Sequence, residues 1–322
     1  MWTIFSVTVP FFALVLCGYL AGRLKFLPDS AIPGLNAYVL YFALPCMLFL
    51  AGMNTPVKQL LDLTVIGMYM ACACVIVGLT IAVTWSKATP LPDAAFGALV
   101  AAFPNSGFMG VPMLLALMGP VAAGPIACTM LTDMIFTTSV CIGISQTQGG
   151  AGQGARVAML RALKGVARNP MAWAITAGAL ASYMQWILLP PLAPIVKMLG
   201  ESATPVALFT IGAVLSRASL DPKARTPVSQ VLPVVLIKLL VHPSLVFLVM
   251  SGAVAWGARL TASQITTLTL VAALPSASNV AMLTERYGAN TGRIARIILW
   301  STSGAFATFS VVAWFFGVRP AG

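Results

Sequence analysis

The stretch Ala101–Leu114 reads AAFPNSGFMGVPML. It lies inside a run otherwise apolar enough for a membrane helix, yet it holds Pro104, Pro112, two glycines, a serine and the amide of Asn105. A proline removes a backbone donor, and its ring clashes with the carbonyl four residues back. In lipid each orphaned backbone group costs several kcal/mol, so a break at that depth persists only where protein or water satisfies the freed groups. The stretch therefore predicts a broken helix whose interruption serves a polar site.

The rest of the chain supports a membrane setting. Of its 322 residues 59% are hydrophobic and only 8% charged, with mean hydropathy +0.95. An ordinary soluble domain carries about 25% charged residues, so the solvent of most of this surface is expected to be lipid. The net charge of +11 does not point to nucleic acid, because the basic residues lie between apolar runs, where topology explains them. The first run, Trp2 to Gly22, has no basic residue ahead of it and is read as a retained span, not a signal peptide. Cys17, Cys46, Cys72, Cys74, Cys128 and Cys141 all fall in apolar runs and read as small buried residues, with no metal spacing and no disulfide framework. Cys72 and Cys74 would point about 200° apart on a helix. No metal or other cofactor is expected.

Ten apolar runs are long enough to be candidate spans, at roughly 2–22, 34–53, 64–85, 94–118, 121–145, 170–187, 190–216, 228–256, 262–284 and 294–316. Sorting the loops of a ten-span chain puts Lys58, Lys197, Arg259 and Arg319 on one side. The other side receives thirteen basic residues: Arg23, Lys25, Lys87, Arg156, Arg161, Lys164, Arg168, Arg217, Lys223, Arg225, Arg286, Arg293 and Arg296. The richer side is cytoplasmic. Both termini are therefore expected outside the cell's inner (plasma) membrane, with the central loop cytoplasmic. Glu285, Arg286, Arg293 and Arg296 read as topology determinants and lipid-headgroup contacts.

The two halves resemble each other. AAFPNSGFMGVPML in span 4 parallels AALPSASNVAMLTE (Ala272–Glu285) in span 9, matching Pro104 with Pro275 at an offset of 171. LPCMLFLAG from Leu44 in span 2 parallels TPVALFTIG from Thr204 in span 7, matching Pro45 with Pro205 at an offset of 160. Five spans per half is odd, so the second copy must enter the membrane from the opposite side, giving a 5+5 inverted repeat. The expected organisation is a first five-helix repeat over 1–150, a cytoplasmic loop over 151–169 and a second repeat over 170–322. Spans 4 and 9 should cross near the midplane, where half-helix N-termini favour an anion. Span 9 lacks the second proline and the glycines of span 4, so its break is expected to be the gentler one.

Five stretches in order carry a family resemblance: PNSGFMGVP in span 4, RNPMAWAITAG from Arg168, TPVALFTIGAVLS in span 7, KLLVHP in span 8 and ALPSASNVAMLTERYG in span 9. Together they resemble the auxin efflux carrier family over essentially the whole chain. Bacterial members are permeases for malonate, malate or related dicarboxylates, and the fold is similar to that of the bile-acid sodium symporters. The resemblance implies ten helices, with broken helices 4 and 9 crossing, a scaffold of spans 1, 2, 6 and 7, and a mobile transport domain of spans 3–5 and 8–10 moving as an elevator.

Asn105 is the first candidate for the substrate: its amide donates to a carboxylate and carries no charge to desolvate. The resemblance implies the same contact. Ser106 and Gly107 offer backbone N–H groups and close approach, and Ser276, Ser278 and Asn279 are the counterparts in span 9. Pro45 and Pro205 would kink spans 2 and 7 towards the crossing, where Phe42 and Phe209 either cover the substrate or simply pack helices. Asp133 lies in mid-span 5, and Lys238 and His242 lie one turn apart in span 8. Charged residues inside spans are functional candidates by default. A buried carboxylate beside a lysine or histidine can carry a coupling proton; a structural ion pair and compensation of a second substrate carboxylate are the alternatives.

The expected function is secondary active transport of a small organic anion, a dicarboxylate such as malonate or malate, by proton symport. Sodium coupling, or a uniporter or carrier for a monocarboxylate or auxin-like acid, is the alternative. A transporter-like sensor or channel, or an intramembrane enzyme, is the remaining class; no P-loop and no HExxH occurs. The expected partners are the substrate anion, the coupling ion and the bilayer, with a homodimer left open.

Overall fold

The computed structural model of the chain describes residues 2–54, 62–147, 170–219 and 226–318. Lys58, Arg156, Arg161, Lys164, Arg168, Lys223, Arg225 and Arg319 lie outside these residues. The described residues are helical, with no strand beyond two isolated bridges. In chain order the helices are α1 (Trp2–Arg23), α2 (Ala31–Met53), α3 (Leu63–Thr84), α4 (Leu91–Ala102), α5 (Ser106–Met118), α6 (Pro120–Gln146), α7 (Pro170–Tyr183), α8 (Ala193–Ser219), α9 (Val228–Ala255), α10 (Ala262–Ala273), α11 (Val280–Arg286) and α12 (Thr291–Phe315). Six of them, α2, α3, α6, α8, α9 and α12, are long and apolar enough to cross a membrane. Every apolar run read from the sequence is helical, and those around Pro104 and Pro275 are each split in two.

Four helices contain a wider π-turn: Val39–Ala43 in α2, Ser106–Gly110 in α5, Thr132–Thr137 in α6 and Ile237–Val241 in α9. Three of these end two residues before a proline, namely Pro45, Pro112 and Pro243. At each, the amide just after the π-turn reaches back five residues instead of four, as from Leu44 to Val39 and from His242 to Ile237. The extra residue re-registers the helix ahead of a ring that would otherwise meet a carbonyl. Pro112 is thus not a second break: it sits in the first turn of the α-helical part of α5, where a missing N–H costs little. Likewise α8 runs on through Pro205.

Two helix pairs approach unusually closely, and glycines permit it. In the α1–α8 pair a Cβ on Gly18 would fall 1.8 Å from the Phe209 carbonyl oxygen, and one on Gly212 would fall 1.9 Å from the Val15 oxygen. In the α2–α7 pair a Cβ on Gly178 would fall 2.3 Å from the Phe49 oxygen, and one on Gly52 would fall 2.8 Å from the Ile175 oxygen. Val15 and Ile175, Gly18 and Gly178, Phe49 and Phe209, and Gly52 and Gly212 are each 160 positions apart, the offset that relates Pro45 to Pro205. The obstacles are backbone atoms, which cannot rotate away. Gly212→Ala is therefore expected to lower the melting temperature in detergent sharply, whereas Gly67→Ala, with nothing within 4 Å, should leave it unchanged or slightly raised. Equal melting temperatures for the two variants would remove the close-approach account.

A large core of buried apolar side chains joins α4, α5 and α10 to the helices around them. Arg293, expected at the lipid surface, is instead 1% exposed. Its guanidinium donates to the Asp93 carbonyl at 2.7 Å and to the Gln230 carbonyl at 3.0 Å, which pins α12 to the first turns of α4 and α9. Gly97 makes room for it. Three helix ends converge there and supply carbonyl acceptors that lipid cannot. Among the cysteines, Cys72, Cys128 and Cys141 are buried, but Cys17 and Cys74 are exposed on outward helix faces, against the expectation that all six are buried.

Candidate functional site

The two breaks meet. Pro104 and Ser276 form an antiparallel bridge. The Asn105 amide donates to the Pro275 carbonyl at 2.8 Å, and the Ala277 amide donates to the Phe103 carbonyl at 3.0 Å. Proline chemistry forces the interruptions, and the freed backbone groups of one helix satisfy those of the other. The break between α10 and α11, residues 274–279, is longer than that between α4 and α5, residues 103–105. This reverses the expectation from proline and glycine content. The π-turn restarts α5 immediately after Asn105, whereas nothing comparable restarts the helix after Pro275.

Around the bridge, Asn105 is 5% exposed, and Ser106 and Ser276 are fully buried. The Asn105 side chain makes no capping hydrogen bond to α5, while its carbonyl accepts from the amides of Met109 and Gly110 at 3.1 and 2.9 Å. The backbone amide of Ser276 donates to the Ser301 hydroxyl at 3.2 Å, and the Ser276 hydroxyl is buried with no partner. Gly107 is half-buried; a Cβ there would rest 3.5 Å from the Met171 methyl and 3.9 Å from that of Met130. The crossing thus brings Asn105, Ser106 and Ser276 together. Ser278 is half-buried and Asn279 exposed, further along the chain at the start of α11. Pro45 is half-buried and Pro205 exposed. Phe42 is 56% exposed and stacks on Tyr38, and the backbone carbonyl of Phe209 abuts Gly18.

Next to the crossing lies a second polar cluster. Asp133, Lys238 and His242 are all fully buried. Asp133 and Lys238 each sit in a π-turn, a local widening that often marks functional positions. The Asp133 carboxylate accepts from Thr137 at 3.1 Å and from Tyr69 at 3.4 Å. The Lys238 ammonium lies 3.1 Å from His242 Nδ1 and donates to the Ala272 carbonyl at 3.3 Å. Tyr69 and His242 face each other with ring centroids 6.0 Å apart. Asp133 and Lys238 interact through their charges but form no contact within 4 Å; the ion pair found among the described residues is Lys197–Glu201.

The two clusters are linked by the breaks themselves. In unbroken helices the amides of Asn105 and Ser276 would bond the carbonyls of Ala101 and Ala272. Both amides are diverted, so those carbonyls are released. Lys238 takes the Ala272 carbonyl, and the ring of His242 lies against Ala101, although His242 Nε2 makes no hydrogen bond of ordinary geometry. One turn of α9 therefore attends both broken helices. Tyr69, Thr137 and Ser301 were not singled out in the sequence: each is a hydroxyl within an apolar run, a pattern shared by many helix-packing residues.

Comparison with known proteins identifies the family. The family model described as "Membrane transport protein" matches residues 3–314. A protein of Rhizobium meliloti (strain 1021) named "Putative malonate transporter" is 29% identical over 309 residues, which is 96% of this chain and 94% of that one. The "Uncharacterized transporter YfdV" of Escherichia coli (strain K12) is 22% identical over 88% of each chain, and an "Uncharacterized transporter" of Methanothermobacter thermautotrophicus is 25% identical over 93% of each. Helices of membrane-spanning length, paired breaks and a match over nearly the whole length lead to one conclusion: the chain belongs to the membrane transport protein family, the auxin efflux carrier family that its motifs resemble.

Proposed function

We propose that the protein is a secondary active transporter of a small dicarboxylate such as malonate, bound at the crossing of α4–α5 and α10–α11. The observation that carries this reading is the meeting of two helix breaks around an uncommitted Asn105 amide and an unpartnered Ser276 hydroxyl. These are donors in a buried place, and hydrogen bonds from them to a carboxylate would be charge-assisted. The relative named as a malonate transporter supports the substrate class.

In this reading the chain crosses the inner membrane ten times, with both termini outside and the halves 1–150 and 170–322 inverted. The reciprocal glycine pairs at offset 160 support the inversion, as do α4 and α10, both twelve residues long and 171 positions apart. The tight α1–α8 and α2–α7 pairs form the scaffold. The broken helices move with α3, α6, α9 and α12 as the elevator. Asp133, Lys238, His242 and Tyr69 form the coupling group, with a proton as the coupling ion.

The test is uptake of labelled malonate into proteoliposomes under an imposed proton or sodium gradient. A proton symporter gains rate when the outside is acid, because the proton enters with the substrate. No gradient-dependent flux across a panel of organic anions would overturn transport, and flux driven by sodium alone would overturn proton coupling. Asp133→Asn is expected to slow uptake and flatten its dependence on external pH; an unchanged pH profile would confine Asp133 to a structural role.

A further inference from the structure

His242 is the chain's single histidine and lies fully buried one turn after Lys238 in α9. Its two ring nitrogens have different surroundings. Nδ1 lies 3.1 Å from the Lys238 ammonium. Nε2 is buried and makes no hydrogen bond of ordinary geometry. The titratable groups around the ring come from three helices: Lys238 on α9 itself, Tyr69 on α3 with its ring centroid 6.0 Å away, and Asp133 on α6, which bonds Tyr69. From α4 and α10 the pair meets backbone, the carbonyls of Ala101 and Ala272.

The chemistry of the lysine–histidine pair selects one tautomer. An ammonium has three donors and no acceptor. Lys238 gives one donor to the Ala272 carbonyl at 3.3 Å, and the Asp133 carboxylate supplies its countercharge. Nδ1 must then accept the bond from Lys238, and the hydrogen of the neutral ring belongs to Nε2. A ring protonated at Nδ1 as well would set two cationic N–H groups against each other across 3.1 Å.

The helix break gives that N–H a use. In a continuous helix the Asn105 amide would bond the Ala101 carbonyl, but it donates to Pro275 instead. With Nδ1 taken by Lys238, Nε2 is the nitrogen left for Ala101. We propose that His242 is a positioning residue of the anion site: held by Lys238 as the Nε2–H tautomer, it offers the Ala101 carbonyl a donor in place of the Asn105 amide and so sets the end of α4 on which Asn105 is carried. Lys238 serves α10 in the same way through Ala272. Within the coupling group His242 is then the fixed member and not the proton carrier. The Nε2 bond is open in the resting structure, and a carboxylate at Asn105 should tighten it. The tautomer stands on the geometry alone, whereas the effect on the anion rests on the binding site proposed above.

The test uses the full chain carrying carbon- and nitrogen-labelled histidine, purified without a polyhistidine tag and reconstituted in lipid. One histidine gives one set of ring resonances. Solid-state correlation spectra assign Nδ1 through Cγ and Nε2 through Cδ2. At neutral pH the unsubstituted protein should show a bare Nδ1 and a protonated Nε2, and saturating malonate should move the Nε2 resonance more than that of Nδ1. A protonated Nδ1 would overturn the assignment, whether as the other tautomer or as the imidazolium. An Nε2 resonance indifferent to malonate, in a protein that malonate stabilises thermally, would overturn the positioning role. His242→Gln and His242→Asn separate the two nitrogens, because the glutamine amide reaches the place of Nε2 and the asparagine amide only that of Nδ1. Malonate affinity, read by thermal shift, should stay within about twofold in His242→Gln and fall roughly tenfold in His242→Asn. Equal affinity in the two variants would also overturn the role, and if His242→Asn does not elute as a folded species the ring resonances decide. A melting temperature that ignores malonate in every variant and in the parent would count against the binding site itself, while the ring resonances would still report the tautomer.

Discussion

Asn105→Ala is expected to eliminate malonate-induced thermal stabilisation and malonate uptake while leaving the apo protein folded. The backbone of Asn105 holds the crossing together, through its amide to Pro275 and its carbonyl to Met109 and Gly110. Alanine keeps all three bonds. Only the side-chain amide is lost, and it makes no capping bond in the resting structure. A hydrogen bond to a charged group is worth about 1.5–3 kcal/mol, which corresponds to a loss of affinity of roughly 10- to 150-fold. Differential scanning fluorimetry with and without malonate separates the two effects. Persistence of the malonate shift in Asn105→Ala would move the site elsewhere, whereas a lowered apo melting temperature would show that the side chain supports the break.

Lys238→Met is expected to be the most destabilising single substitution near the crossing. The ammonium is fully buried, bonds His242 and the released Ala272 carbonyl, and offsets the charge of Asp133. Its removal leaves a buried carboxylate without compensation and a carbonyl without a donor. Leaving a buried polar group without its hydrogen-bond partner costs about 1–3 kcal/mol, or roughly 5 °C in melting temperature. Lys238→Met with Asp133→Asn should recover part of the loss, because the carboxylate charge goes too, but not the part owed to Ala272. Full recovery in the double variant would reduce Lys238 to a counterion. A Lys238→Met protein as stable as the parent would end the account of the released carbonyls.

The π-turns give both substitutions their context. Asp133 and Lys238 lie in helix segments wound more loosely than their neighbours, and the turn in α9 ends two residues before Pro243. The residues that bear charge in the interior thus sit where the helix ladder is already perturbed. A perturbed ladder carries less of the local backbone bonding, so side chains take a larger share of it.

How much of this was legible in the chain can be argued from particular residues. The apolar runs became helices because a backbone in lipid must satisfy itself locally, a requirement that composition alone reveals. Pro104 and Pro275 became breaks where the missing donor coincided with a crossing partner that satisfies the freed groups, whereas Pro205 lies inside a continuous helix. The match of Pro45 with Pro205 anticipated an offset that recurs in four pairs of close-contact positions. Arg293 was misread because its carbonyl partners on Asp93 and Gln230 lie 200 and 63 residues away. Tyr69 went unnoticed for the same reason: its partner Asp133 is 64 residues on. The longer break in span 9 ran against its proline and glycine content, because what matters is whether the next turn can restart, as the π-turn at Ser106 does.

By itself the sequence determined the solvent, the places where helices must form and the places where a helix is most easily interrupted. All three follow from single side chains and local backbone geometry. Tertiary structure alone decided which released carbonyl met which donor, that Lys238 and His242 would attend both breaks, and that Asn105 rather than Asn279 would lie in the crossing. Those outcomes depend on packing between segments from 34 residues apart, as for Lys238 and Ala272, to far more, as for Asn105 and Pro275, where a buried polar group bonds to whatever partner the packing presents.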